Sequence, residues 1–88
     1  MNAADRKQAA SLSAQLREII GKIEDIRGEI ETLKDAEEEK FDNLSEGLQQ
    51  SERGQAIEEA KDALENAFDS VESALSELES SADTLNDI

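Results

Sequence analysis

The sequence contains no cysteine, histidine, tryptophan, tyrosine or proline. Without thiols it forms no disulfide, thiolate nucleophile or cysteine zinc site, and without imidazole it lacks the commonest general base and the HExxH and ExxH metal patterns. Phe41 and Phe68 are its only aromatic residues, too few for a platform on which bases stack. No apolar run approaches the roughly 18 residues a membrane-spanning helix needs, and the stretch from Met1 to Lys7 has no apolar signal segment. These absences predict a soluble, cytoplasmic protein that does not engage membranes. Positive charge is scarce too: 9 Lys+Arg against 23 Asp+Glu leave a net charge of −14 on 88 residues, enough chain for one domain. Such a chain repels phosphate, so no direct nucleic-acid binding is expected.

With no proline and only four glycines, little in the chain stops a helix. Leu12, Leu16, Ile19, Ile23, Ile26, Ile30 and Leu33 follow one another in alternating steps of four and three, a heptad seam without a slip. Gly21 and Gly28 lie within it without disturbing its phase, on the opposite face in register with Ala14. They read either as tolerated solvent-facing glycines or as places of close backbone approach. In the second half Ile57, Leu64, Val71, Leu78 and Leu85 recur every seventh residue. Ala60, Ala67 and Ala74 fill the partner position, and Phe68 and Leu75 widen the stripe. Between the halves, Asn43 with Glu46 reads as a capping box opening a short turn, Ser51 reads as the N-cap of the second helix, and Leu44 and Leu48 are expected to close the core beside Phe41. The expectation is an all-α fold: helices over about 5–42 and 52–86 joined by a capped turn at 43–51 into a coiled-coil-like antiparallel hairpin. Its breadth and small size predict dimerisation into a four-helix bundle through the Ile57/Phe68/Leu75 face.

The charge is unevenly placed. Up to Asn43 there are 11 acids and 7 bases, net −4, and thereafter 12 acids and 2 bases, net −10. Lys22, Arg27 and Lys34 flank the first seam and read as partners for internal pairing, with Glu18 and Lys22 spaced as a favourable pair. Beyond Lys61 no base occurs. Asp62, Glu65, Asp69, Glu72, Glu79 and Asp83, with Ser76 in the gap, form a stripe about 30 Å long at helical rise, expected to lie opposite the Ile57/Leu64/Val71/Leu78 seam. Neighbouring like charges each cost about 0.2–0.5 kcal/mol, which interleaved lysines would relieve. One reading is a solvated face kept acidic for solubility. The other is a surface that imitates the regular charge of a nucleic-acid backbone and occupies a basic groove on a protein partner.

Other sites are weaker. Glu37, Glu38 and Glu39 form no calcium-loop pattern, so no metal or cofactor is expected. Serines beside acids, such as Ser76 before Glu79, resemble acid-directed phosphorylation sites, but modification would only add negative charge. Paired carboxylates perform acid/base catalysis only inside a pocket that gives them different protonation states. Two thin helices offer none, so no enzyme is expected.

The run from Glu37 through Phe41-Asp42-Asn43-Leu44-Ser45-Glu46-Gly47-Leu48-Gln49-Gln50-Ser51-Glu52-Arg53-Gly54, with the acidic, alanine-rich helix after it, resembles small acidic helical-hairpin proteins of bacteriophages over roughly residues 37 to 79. Secreted helical hairpins with a Trp-x-Gly turn match less well, since tryptophan is absent. The resemblance implies a phage setting in the host cytoplasm, where small acidic proteins act as DNA mimics of anti-restriction or anti-CRISPR type. The leading expectation is therefore a non-enzymatic inhibitor that binds a basic protein surface. Alternatives are a structural coiled-coil assembly protein with an inert acidic face, and an antitoxin or chaperone-like cover for a partner.

Overall fold

The computed structural model describes residues 1–88. Helix accounts for 90% of the chain, in the order α1 (Ala3–Asp42), α2 (Glu46–Gln49) and α3 (Glu52–Asn86). The two long helices pack antiparallel into a rod 68 × 14 × 13 Å. No helix is long and apolar enough to cross a membrane.

Caps decide where the helices begin and end. Asn2 accepts a hydrogen bond from the Asp5 N–H at 2.8 Å, which starts α1 two residues earlier than its apolar period alone predicts. The expected Asn43/Glu46 capping box does not form. Asn43 closes α1 instead, its N–H donating to the Glu39 carbonyl at 3.0 Å. Ser45 heads α2 without a side-chain cap bond. The Gln49 amide donates to the carbonyls of Leu44 at 3.3 Å and Phe41 at 3.1 Å, the latter already accepting from the Leu44 N–H at 3.1 Å, and so ties the corner to the end of α1. Ser51 caps α3 as its sequence position predicts, accepting from the Gly54 N–H at 3.3 Å while its hydroxyl donates to Leu48 O. Leu44 is half-buried at this corner, but Leu48 points to solvent rather than closing the core.

The seam between the long helices differs from the most apolar one in the sequence. On α1 the residues turned toward α3 are Ala9, Ser13, Leu16, Ile20, Ile23, Arg27, Ile30, Lys34, Glu37 and Phe41, all buried or half-buried. Only Leu16, Ile23 and Ile30 belong to the expected set. Leu12, Ile19, Ile26 and Leu33 lie one column over, 43%, 48%, 50% and 57% exposed. On α3 the inward set is Gly54, Ile57, Lys61, Leu64, Phe68, Val71, Leu75, Leu78, Ala82 and Leu85. The partner positions are thus Lys61, Phe68, Leu75 and Ala82, whereas Ala67 and Ala74 are exposed and Ala60 is half-buried. The Ile57/Phe68/Leu75 face, expected to await another chain, packs inside the hairpin.

Polar residues are accommodated in this seam by reaching out of it or by bonding within it. Ile20, Leu75 and Ala82 form its centre, with Leu16, Ile23, Val71 and Leu78 against them. Toward the open end Ala9, Ser13 and Ala82 allow close approach, and the buried Ser13 hydroxyl donates to the Ala82 carbonyl at 2.7 Å. Lys34 lies over the Phe68 ring with its ammonium 5.4 Å from the centroid, a cation–π contact made by an amphipathic side chain whose head reaches water. No buried side-chain polar atom is left without a partner.

The two glycines of α1 are simple by comparison. A Cβ built at Gly21 or Gly28 meets nothing within 4 Å, so within this chain they are solvent-facing. Gly21→Ala and Gly28→Ala should each raise stability by about 1 kcal/mol, the helix-propensity difference alone. Urea unfolding followed by circular dichroism checks this, and a loss of stability in either variant would show a contact at that position.

Candidate functional site: the acidic side of the hairpin

One side of the rod is rich in carboxylates, and both helices contribute to it. The six stripe residues of α3, Asp62, Glu65, Asp69, Glu72, Glu79 and Asp83, are all exposed. They stand on the flank of the helix beside the seam, not opposite it as expected, because Phe68, Leu75 and Ala82 rather than the alanine column turn inward, and there α1 comes within reach. Glu72 lies 3.6 Å from Arg27, and Asp83 pairs with Arg17. The expected internal pairing of α1 cations therefore holds for Arg27. Glu18 and Lys22 form no ion pair, and the third pair in the molecule is Lys40 with Glu37 at 2.8 Å. Asp62, Glu65, Asp69 and Glu79 have no cationic partner.

The contribution of α1 is the part that sequence reasoning missed. Glu24 lines a shallow groove with Arg17, Gly21, Glu79 and Asp83, which fixes its helix face to the acidic side. Glu31 and Glu38 follow at heptad intervals from Glu24, and Asp35 stands on the adjoining column. A second groove nearer the turn is lined by Gln55, Glu58, Glu59 and Asp62. The signal was available, since Glu24, Glu31 and Glu38 recur every seventh residue. Its alignment with the α3 stripe depends on how α1 is rotated about its axis, and the apolar count points to the wrong rotation.

Counted along the rod, Glu58 and the six stripe residues supply seven carboxylates, and Glu24, Glu31, Asp35 and Glu38 supply four. They occupy about 37 Å of axis at helical rise. With two engaged by Arg17 and Arg27, the remainder gives roughly one free negative charge per 4 Å, close to the ~3.4 Å per charge of a single nucleic-acid strand. The two ion pairs are solvent-exposed and worth little to the fold, about 0–1 kcal/mol each. No group of three or more Asp or Glu side chains converges in a way that could hold a metal ion.

Protein families, curated proteins and solved structures offer no match to this chain. What it does must therefore be argued from its own surface.

Proposed function

We propose that this protein is a non-enzymatic acidic binding protein whose carboxylate side occupies the basic, nucleic-acid-binding groove of another protein and blocks it. The observation that carries this reading is the gathering of carboxylates from both helices onto one side at nearly the linear charge density of a nucleic-acid strand. A rod of this kind presents charge on a rigid scaffold, so little ordering is required when it binds, and its field steers a basic partner from a distance. The functional unit in this reading is a homo-oligomer in which each chain offers its own acidic side. In the phage setting suggested by the turn resemblance, the partner is a host-defence protein of restriction or CRISPR type, met in the host cytoplasm.

Capture from a host lysate on the immobilised protein provides the test. Binding should fall steeply between about 50 and 200 mM salt, as phosphate recognition does, and should be lost to competing duplex DNA. Glu65→Lys with Asp69→Lys should abolish capture while helicity is unchanged, and Glu31→Lys should weaken it, because α1 contributes to the same side. Capture that survives salt, DNA and charge reversal would rule the reading out and favour an inert acidic face.

A further inference from the structure

The side of the rod away from the carboxylates is apolar. Leu12, Ile19, Ile26 and Leu33 stand along α1 one heptad apart, all 43% or more exposed, over about 31 Å of helix. Beside them on α3, Ala67, Ala74 and Ser81 form a column of small exposed residues with the same spacing. The pairs Arg17–Asp83 and Arg27–Glu72 set the register of the two helices. In that register Ile19 is level with Ser81, Ile26 with Ala74 and Leu33 with Ala67. Every layer thus offers one large side chain and one small one, with the large one always on α1.

We propose that this face is covered by a second copy of the chain, related by a two-fold axis running parallel to the helices. That operation exchanges α1 and α3 without sliding the rods along each other. Ile26 of each copy then meets the partner's Ala74, and Leu33 meets the partner's Ala67, so large packs on small in both directions as an isologous interface requires. A two-fold axis perpendicular to the helices would instead set α1 on α1 and α3 on α3, crowding aliphatics along one half and leaving voids between alanines along the other, both destabilising. Charge agrees with the parallel axis. Lys22, on the outer edge of this face in α1, comes level with the partner's Glu77, on the outer edge in α3, and the pair occurs twice.

Area supports the same occupant. The rod is 68 Å long and 14 Å wide between Cα positions, a footprint on the order of 900 Å² per copy, against about 800 Å² per partner in a stable interface. The product is an up-down-up-down four-helix bundle. Its two acidic sides face outward in opposite directions, so chains of −14 each associate through the one side where their charge is least.

The test begins with light scattering on the intact protein, which should report twice the chain mass of 9.6 kDa, a value that persists in high salt. Ile19→Glu with Ile26→Glu should halve that mass with helicity retained, because both positions lie outside the hairpin core. For the geometry, a chain free of cysteine permits clean cross-linking. Oxidising a mixture of Ile26→Cys and Ala74→Cys chains should link them, and neither variant alone should link. The proposal is overturned by a single-chain mass for the unaltered protein, by a dimer that survives the glutamate substitutions, or by an unlinked Ile26→Cys/Ala74→Cys mixture. Linking between Ile19→Cys and Ile26→Cys chains would mark the perpendicular axis instead. No partner is present in these measurements, so their failure is separate from failure of the acidic-side reading.

Discussion

Leu75→Ala should lower the unfolding free energy by about 2–5 kcal/mol, the range for removing a buried leucine side chain and leaving its cavity. Leu75 is only 3% exposed and sits at the centre of the contact between α1 and α3, with Ile20 and Ala82 as its buried neighbours. A chain of 88 residues has a total stability of about 4–13 kcal/mol at ordinary values per residue, so this one truncation removes a large share. Leu33→Ala is the informative companion. It deletes the same atoms from a residue 57% exposed, and in the dissociated chain it should cost no more than about 0.5 kcal/mol, as surface changes usually do. Urea titration of both changes in the Ile19→Glu/Ile26→Glu background, which keeps the chains apart, reads the comparison directly. Similar costs at the two sites would mean that the seam runs through the Leu12/Ile19/Ile26/Leu33 column after all.

Gly54→Ala should also destabilise, by about 1–3 kcal/mol as an overpacked position does, although the same change in an open helix stabilises by about 1 kcal/mol. The reversal of sign comes from the corner. A methyl at residue 54 would fall on the backbone carbonyl oxygens of Leu48 and Gln49, at 2.5 Å from the former, and no flexible side chain is there to move aside. Relief requires shifting α2 or the first turn of α3, which also disturbs the Ser51 cap on the Gly54 N–H. Measured beside Gly21→Ala and Gly28→Ala, the three glycine variants should divide by sign. A stabilised Gly54→Ala protein would show that the chain does not cross this closely over the start of α3.

Much of the fold can be read along the chain. The absence of proline, the Ser51 cap and the two long apolar periods predict a pair of helices joined near residues 43–51, and α1 and α3 occupy nearly those bounds. Spacing likewise gathers the acidic stripe of α3 into one column, but its position beside the seam rather than opposite it follows from which residues turn toward α1. The need for glycine at residue 54 carries no local signal, because it arises from the corner folding over the start of α3. Ser13 and Ala82 were missed for a related reason: small residues add little to an apolar count, yet they are what permit the 2.7 Å contact between Ser13 and the Ala82 carbonyl.

The sequence by itself determined the helices, their turn and the total charge, because these depend on terms local to a few residues: caps, periodicity and the lack of breakers. Only the tertiary structure decided which column of each helix is inside. Choosing Ile20 rather than Ile19 as the inward residue rotates α1 by about 50° around its own axis, and no local term selects between the two settings. The choice is made by the opposite helix, where Phe68, Leu75 and Ala82 must find Lys34, Ile20 and Ser13 to pack against. That one rotation brings Glu24 and Glu31 to the acidic side and leaves Ile19 and Ile26 uncovered on the other.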